Sequence, residues 1–357
     1  MSETRDLVRD AAERLFEKHC GAETMRRADG GEFPQALWRA LTEAGYAAAL
    51  VPENAGGAGL EMSDALSLLV SAGRHAVPAP LAETMLAGWL LSAAGTPMWE
   101  GSPAAMGPLT VAPVREGDVL IAKRDGAGWR IEGTATRVPW ARQCGTIAVL
   151  ADFDGKGIVA LVAAADCAIK DGHNIAGEPR DELVFSGTKS LQAGASPISA
   201  GALRAMGAVM RSAQMAGALQ SILETSVQYA CERVQFGRPI GRFQAVQQSL
   251  ALLAGQAAAA TAAAEAAIDA ASRDLESPAV AAAKIRTGEA AGIGAAIAHQ
   301  VHGAIGFTQE HRLHYSTRRL WSWRDEFGNE AYWARKLGGV VAAAGADRLW
   351  HGITAAG

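Results

Sequence analysis

The sequence lacks the short motifs by which many catalytic and metal-binding proteins are identified. No GxSxG, Walker or GxGxxG loop stands in the strand-turn-helix setting that such loops need. The four cysteines, Cys20, Cys144, Cys167 and Cys231, have no CxxC or metal-like spacing, and the histidines have no HExxH-like spacing. We therefore expect free thiols in a reducing compartment and no metal site.

A strong net charge is also missing, since 33 lysines and arginines face 37 acidic residues and leave a formal charge of -4. Such a chain has no general field for nucleic acid or an anionic membrane, and the arginine-rich and aromatic run from Leu313 to Arg324 is only local. The N-terminus lacks the apolar core of a signal peptide, so a cytoplasmic location is expected. The most apolar stretch, Ala251 to Ala271, contains polar and acidic residues, which predicts a buried bundle helix and no membrane span.

Length and hydrophobic periodicity predict a protein of three parts. The 357 residues exceed the roughly 250 to 300 at which a single hydrophobic core stops growing. Residues 1–107 show helical spacing, residues 108–198 contain short apolar runs between turn signals, and helical spacing returns over residues 199–357. The predicted fold class is therefore α+β, with a helical domain, a small middle β-domain and a second helical domain.

The N-terminal part carries start and stop signals for helices. Pro34 is expected to begin a helix over Gln35 to Ala44, and Gly45 is expected to end it. The glycine-rich segment from Val51 to Gly59 predicts a turn, after which helical spacing resumes at Met62. The first helix is expected to present one apolar face, made of Leu7, Ala11, Leu15 and Phe16.

The other two parts show the same change in periodicity. In the last part, helical spacing predicts a long helix that ends before Gly237, then alanine-rich helices over Gln244 to about Arg273 and Pro278 to about Gly303. In the middle part, strands are predicted at the short apolar runs Leu109 to Val114, Val119 to Ala122, Trp129 to Glu132, Ile147 to Ala151 and Ile158 to Ala163.

The segment from Arg233 to Ile240, Arg-Val-Gln-Phe-Gly-Arg-Pro-Ile, is the most informative part of the sequence. It places an arginine at the C-terminus of a predicted helix, directly before a tight glycine turn. The planar guanidinium of Arg233 suits phosphate oxygens, and Phe236 can lie against a flat ring. A second interpretation stays open, in which the cations only complement the helix dipole.

With its continuation to Gln244, this segment has the pattern RxxFGxxIxxxQ, which resembles the signature of the C-terminal domain of acyl-CoA dehydrogenases. In that family, residues of this motif contact the pyrophosphate and adenosine of FAD across a subunit interface. The resemblance therefore implies FAD-binding roles for Arg233, Gln235, Phe236, Phe243 and Gln244.

A second segment, Gln300 to Glu310, resembles the family pattern QxxGGxGF(T/N)xE. An alanine replaces the second glycine of the pattern, which permits close backbone approach less freely. The N-terminal part is similar to the family's LxxxGxxxxxxPxxxGGxG stretch, so the resemblance spans nearly the whole chain and implies a C-terminal four-helix bundle. The positions that would meet the adenosine end of a neighbouring subunit's FAD are Gln300, Gly303 and Ala304.

The resemblance also implies a reaction, in which a carboxylate removes a proton α to a thioester while the β-hydrogen leaves as hydride to the flavin. The family's glutamate position falls on Phe327 here, so Glu326, one residue earlier, is the candidate catalytic base. A solvated surface charge is the alternative interpretation of Glu326. Some relatives carry the base on an earlier helix, where Gly207 or Ala208 offers no carboxylate.

Two further departures from the family pattern concern the surroundings of the flavin. The arginine that some relatives place near the second base position has no direct counterpart, although Arg204 and Arg211 lie on either side of that position. The middle part lacks the TEPxAGSD segment of typical members. The residues from Arg137 to Trp140 are candidates for contact with the flavin ring, with plain packing as the alternative for Trp140.

Two functions follow from the resemblance. The first is an FAD-dependent acyl-CoA dehydrogenase of fatty acid or steroid catabolism that passes electrons to an electron-transferring flavoprotein. The second is a catalytically incomplete, FAD-sharing subunit of a heteromeric acyl-CoA dehydrogenase. Both imply a homo- or hetero-oligomer, either a dimer or a tetramer. The acyl group is not defined by the sequence, because the pocket depends on side chains from several helices.

Overall fold

The computed structural model describes residues 3–96, 107–348 and 350, and its elements confirm the α+β class with helices, then strands, then helices. The α-helices are α1 (Glu3–His19), α2 (Ala22–Asp29), α3 (Gln35–Glu43), α4 (Met62–Arg74), α5 (Leu81–Ala93), α6 (Ala200–Glu232), α7 (Gln244–Ala271), α8 (Pro278–His302), α9 (Leu313–Trp323) and α10 (Glu330–Ala344). The β-strands are β1 (Leu109–Ala112), β2 (Leu120–Asp125), β3 (Gly128–Pro139), β4 (Thr146–Phe153), β5 (Lys156–Ala163), β6 (Ala168–Lys170), β7 (Arg180–Ala195), β8 (Val234–Gln235) and β9 (Arg238–Pro239).

Proline and glycine set the ends of α3 as the sequence predicted. Pro34 is the N-cap of α3, and Gly45, just beyond its end, has a left-handed φ of 76°. The predicted glycine turn follows, and a Cβ on Gly57 would lie 1.9 Å from the carbonyl oxygen of Val51. Only glycine permits this approach of the backbone to itself.

The predicted apolar face of α1 is wrong in part. Leu7 is 64% exposed, whereas Ala12 and Phe16, one helical turn apart, are fully buried. The buried stripe is therefore rotated away from Leu7, because several neighbouring apolar residues allow more than one choice of face at helical spacing.

Within residues 107–348, seven strands form one sheet, and five of them close on themselves in the order β4, β2, β3, β7, β5 and back to β4. The β2–β4 pairing is parallel, the other pairings within this ring are antiparallel, and β1 and β6 add to β4 and β7. A closed sheet leaves no free edges in the ring. Its hydrophobic core includes Ile131, Val149, Ala160, Leu183 and Phe185.

The longest strand of this sheet, β7, was not predicted from the sequence. Two of its buried positions carry charged side chains, Arg180 and Asp181, which conceal the expected alternation of apolar and polar residues. Arg180 pairs with Glu178 at 3.0 Å, and the Asp181 carboxylate lies 3.1 Å from the guanidinium of Arg142. Tertiary partners thus allow charges where a sequence rule expects apolar residues.

Three of the C-terminal helices, α6, α7 and α8, agree with their predicted limits. The long helix α6 ends at Glu232, before the glycine turn, and α7 begins at Gln244 as predicted. Ser277 caps α8 by accepting a hydrogen bond from the backbone N–H of Ala279, and Pro278 occupies the first turn.

Glycines let α4 and α6 approach each other closely. A Cβ on Gly73 would lie 1.9 Å from the carbonyl oxygen of Gln214, and one on Gly217 would lie 1.8 Å from that of Val70. Neither distance is possible for a real side chain, so both positions require glycine.

The prediction that α7 is a buried helix is wrong for most of its surface. Within the part of the chain that the structure describes, α7 is the one helix long and apolar enough to cross a membrane by length and composition. Only 33% of its most apolar 18-residue stretch is buried. One face packs on the core through Leu253 and Ala260, while Leu252 is 62% exposed. Alanine richness hid this difference, since small residues suit buried and exposed helix faces alike.

The chain forms two compact units. The first comprises Met1–Val8, Glu17–Ala65 and Pro78–Gly207, and the second comprises Arg9–Phe16, Leu66–Val77 and Ala208–Gly357. Strands β1 to β7 belong to the first unit, and α7 to α10 belong to the second. The domain limits 1–107, 108–198 and 199–357 stay predictions.

Candidate active site

The segment that follows α6 is a short exposed hairpin made of β8 and β9. The Arg233 N–H donates to Tyr229 O and the Arg233 carbonyl accepts from the Ile240 N–H, both at 2.8 Å, so the hairpin is anchored at its base. At its tip Phe236 and Gly237 have positive φ values of 51° and 78°. Phe236 is a non-glycine residue in this region and is 91% exposed.

An aromatic and arginine cluster forms beside this hairpin. The Phe236 and Phe243 rings meet edge to face at 6.1 Å, and the Arg238 guanidinium carbon lies 4.3 Å from the centre of the Phe243 ring. Such contacts hold the rings and the guanidinium in place, and each contributes only about 0.5 to 1.5 kcal/mol to stability. The cluster presents both an apolar face and a cation to the solvent.

The second predicted segment, Gln300 to Glu310, lies at the end of α6 that carries the hairpin. The ring of Tyr229, one turn before Arg233, stacks on His302 at a centroid distance of 4.6 Å, and His302 lies two residues after Gln300. Gln300 is exposed near the end of α8, and Gly303 and Ala304 are exposed in the following 3-10 turn. Two segments far apart in the sequence thus meet through the ends of α6 and α8.

The polar side chains predicted to bind a cofactor point to solvent without protein partners in the described ranges. This holds for the guanidinium of Arg233 and for the amides of Gln235, Gln244 and Gln300, all on exposed residues. One cation and three amides suit phosphate and ribose oxygens. This donor set fits the phosphate and adenosine part of FAD, although its exposure means that one chain alone does not enclose a ligand here.

Four histidines pack behind the second segment. Burial, with the nearby imidazoles of His302 and His314, lowers the pKa of His299, and burial likewise lowers the pKa of His302 and His311. His299 stacks between Phe307 and Trp321 at 4.3 and 5.5 Å. In the described part of the chain, no group of three His, Cys, Asp or Glu side chains is placed to hold a metal ion. Burial therefore favours the neutral form of His299, His302 and His311.

Glu326 forms an ion pair with a buried arginine of α6. The Nε and Nη2 atoms of Arg211 lie 2.8 and 2.7 Å from Oε2 of Glu326, and the two side chains are 2% and 17% exposed. Arg211 also donates to Gln214 Oε1. A buried guanidinium needs an ionised partner, so Glu326 is held as a carboxylate and is not a solvated surface charge.

Phe327, at the family's glutamate position, is 6% exposed and faces the same arginine. Its ring centre lies 5.8 Å from the Arg211 guanidinium carbon. The centre of the Trp323 ring lies 5.7 Å from the same carbon. Phe327 has a positive φ of 54°. The aromatic ring and the carboxylate thus point to one guanidinium from consecutive positions.

In the first unit, Trp140 packs in the protein core. It is 7% exposed, has a φ of 58°, and its backbone N–H donates to Pro179 O at 3.0 Å. This environment supports the interpretation of Trp140 as a packing aromatic. Arg137, at a similar φ of 57°, lies on an irregular stretch of β3 where the register with β7 shifts.

The sequence did not reveal two buried cations of this site, Arg211 and Lys284. From the sequence, Arg211 is only one of two arginines near a family position, and Lys284 lies in none of the segments that resemble the family. Each interrupts an apolar helix face, and Lys284 is fully buried. A charge within a predicted buried face was therefore the signal that could have found both.

Models of two domains of one family match this chain. The acyl-CoA dehydrogenase N-terminal domain matches residues 2–99, and the acyl-CoA dehydrogenase C-terminal domain matches residues 201–328. The acyl-CoA dehydrogenase IpdE2 of Mycobacterium tuberculosis is 31% identical over 331 residues, which cover 89% of this chain and 91% of that protein. The acyl-CoA dehydrogenase FadE27 of the same organism is 32% identical over 83% of this chain and 85% of its own.

Among solved structures, the ChsE4-ChsE5 complex from Mycobacterium tuberculosis contains a similar chain. The TM-score is 0.87 at 26% sequence identity, and the match covers 96% of this chain and 98% of that one. Fold, sequence and the two juxtaposed segments agree on one class of flavoprotein oxidoreductase. The chain belongs to the acyl-CoA dehydrogenase family.

Proposed function

We propose that this chain takes part in the FAD-dependent α,β-dehydrogenation of an acyl-CoA thioester, with the electrons passed to an electron-transferring flavoprotein. The observation that carries the proposal is the exposed donor set around Arg233, which lies at the same end of α6 as the Gln300 segment. Membership of the acyl-CoA dehydrogenases supports the type of reaction. The cytoplasmic location and the dimeric or tetrameric state stay predictions.

The cofactor would be held through its phosphates and adenosine. The Arg233 guanidinium would pair with the pyrophosphate, and the amides of Gln235, Gln244 and Gln300 would donate to ribose and phosphate oxygens. The rings of Phe236 and Phe243 would cover the apolar surface of the cofactor beside them. The exposed backbone at Gly303 and Ala304 would allow the adenosine to approach closely. When bound, FAD would accept the hydride that leaves the β-carbon.

In the first candidate mechanism, Glu326 removes the α-proton of the acyl group. A base must be ionised and accessible, and the ion pair with Arg211 keeps the 17% exposed carboxylate charged. The α-proton would move to Glu326 and the β-hydrogen would leave with its electron pair, so that a carbon-carbon double bond forms. The protonated Glu326 would then no longer neutralise the buried guanidinium of Arg211.

That cost favours a second candidate, in which a companion chain supplies the base. Gly207 and Ala208, at the alternative base position on α6, offer no carboxylate. The carboxylate of Glu326 is already bound to Arg211. The similar ChsE4-ChsE5 structure is a complex of two different chains. This chain would then share FAD with a companion while its own Glu326 keeps a structural role.

Flavin content and turnover of the purified chain separate the candidates. The chain is purified alone and with a co-expressed homologue, its visible spectrum is recorded, and reduction of an artificial electron acceptor is measured with acyl-CoA thioesters of different length. A chain that holds flavin and reduces the acceptor alone would refute the companion-subunit candidate. Absence of flavin in both preparations would refute both candidates.

Glu326→Gln tests the base directly, with Asp325→Asn as the matched control on the neighbouring exposed carboxylate. If Glu326 is the base, Glu326→Gln lowers turnover by about 10²-fold or more, the range for loss of a general base, with flavin content unchanged. Asp325→Asn should keep turnover near that of the natural chain. Equal turnover in the two variants would show that Glu326 is not the base.

A further inference from the structure

The short segment that carries Glu326 is fixed by a buried lysine of α8. Lys284 Nζ donates to the carbonyl oxygens of Arg324 and Gly328 at 2.6 and 2.7 Å. These carbonyls lie four residues apart, on either side of Glu326. The Lys284 side chain is 0% exposed, so its amine group bridges both ends of the segment away from water.

Other contacts complete this support. Trp333 Nε1 of α10 donates to Phe327 O at 3.1 Å, directly after Glu326 in the chain. Gly328 has a φ of 93°, and a Cβ on it would lie 2.6 Å from the Tyr332 ring. The backbone between α9 and α10 is therefore held from two sides, by Lys284 and by Trp333, while Arg211 holds the Glu326 side chain.

The choice of lysine has a physical meaning. Burying an ammonium group costs several kcal/mol unless its donors are satisfied, whereas a methionine of similar length would cost nothing of this kind. The acidic residues Glu330, Glu326 and Asp325 act on Lys284 electrostatically, whereas its hydrogen bonds at 2.6 and 2.7 Å go to backbone carbonyls. These carbonyls would be left unpaired if the amine were removed.

We propose that Lys284 is a positioning residue for the Glu326 carboxylate, acting through the backbone of residues 324–328. The catalytic part of this inference rests on the first candidate mechanism of the proposed function, in which Glu326 is the base. The positional part does not, because the segment is held by Lys284 whatever Glu326 does. The two parts are tested by separate measurements.

The position is tested by hydrogen-deuterium exchange and mass spectrometry on the flavin-loaded protein. Lys284→Met is compared with Arg286→Met. The control removes a half-buried cation of the same helix, one that pairs with Glu289. We expect exchange in peptides covering residues 324–329 to rise about tenfold or more in Lys284→Met, since two hydrogen bonds are lost, and to stay unchanged in Arg286→Met. Unchanged exchange in Lys284→Met would overturn the proposal.

The coupling to catalysis is tested by combining Lys284→Met with Glu326→Gln. If Lys284 acts through Glu326, Lys284→Met lowers kcat in the natural chain and causes no further loss in the Glu326→Gln background. If the two losses multiply, Lys284 does not act through Glu326. If Glu326→Gln alone keeps full turnover, the proposed base is wrong, and the exchange measurement still decides whether Lys284 positions the segment.

A milder variant covers the case in which Lys284→Met does not fold. Trp333→Phe keeps most of the ring but removes the N–H that binds Phe327 O. Exchange over residues 324–329 should then rise by a few-fold, the effect of one lost hydrogen bond, with the flavin still bound. No rise at this segment would contradict its fixation by side chains from α8 and α10.

Discussion

Removing the buried amine of Lys284 should change how the stability of the protein depends on pH. Burial lowers the pKa of Lys284 from 10.5 to about 7, against the opposing attraction of Glu330, Glu326 and Asp325. The unfolded chain therefore keeps this proton to a higher pH than the folded chain. Unfolding takes up a proton in this window, so the folded state gains stability as the pH rises from about 7 toward 10.5.

The size of the effect follows from the pKa difference. One unit corresponds to about 1.4 kcal/mol, so the whole shift corresponds to roughly 4 to 5 kcal/mol across the window. Between pH 7 and pH 9 the expected gain is about 2 kcal/mol, because the folded protein is already half titrated at the lower pH. Below about pH 7 both states carry the proton, and this contribution to the slope disappears.

The measurement is urea unfolding of the natural chain and of Lys284→Met, followed by far-ultraviolet circular dichroism at pH 7, 8 and 9. Other titrating groups contribute equally to both proteins, so the difference between the two isolates Lys284. We expect the natural chain to gain about 2 kcal/mol relative to the variant over this range. Parallel pH profiles for the two proteins would refute the assignment of a depressed pKa to a buried amine.

Three further substitutions test other parts of the structure. Gly217→Ala should lower the free energy of unfolding by about 3 kcal/mol, since its methyl group would lie 1.8 Å from a carbonyl oxygen of α4. Arg211→Met should lower it by roughly 2 to 3 kcal/mol by breaking the ion pair with Glu326, and adding Glu326→Gln should restore part of that loss. Arg233→Ala should weaken FAD binding about tenfold or more by removing a charged donor, as measured by flavin retained after gel filtration.

Matched controls make these outcomes specific. Gly255→Ala adds a methyl group on α7 with nothing within 4 Å, so it should not destabilise the protein. An equal loss at both glycines would contradict the close approach of α4 and α6. Additive losses for Arg211→Met and Glu326→Gln would show that their ion pair contributes nothing. Arg273→Ala removes an exposed arginine elsewhere, and flavin loss equal to that of Arg233→Ala would argue against a specific role for Arg233.

Local signals in the sequence predicted the helices better than the strands. The limits of α3 and α8 follow from Pro34, Gly45 and Pro278, because proline and glycine act on the backbone of their own turn. Strand β7 escaped prediction because its buried charges are satisfied by partners outside the strand. The exposed surface of α7 escaped it because alanine does not distinguish buried from exposed faces.

The candidate site divides in the same way. The motif around Arg233 and the segment at Gln300 were found from the sequence, since each is a continuous run whose spacing resembles a family pattern. Their FAD-binding roles, and the role of Glu326 as base, stay predictions. What spacing did not provide was the partner of Glu326, because Arg211 lies 115 residues away on another helix.

The sequence by itself determined the class of fold, the ends of α3, α7 and α8, and the family, because each of these depends on residues close together in the chain. Tertiary structure decided which charges are buried and what they bind. Arg211 meets Glu326, and Lys284 meets the backbone on both sides of it, only after α6, α8 and the turn before α10 have packed together. Burial then sets the electrostatic state of these groups, and no local pattern contains that information.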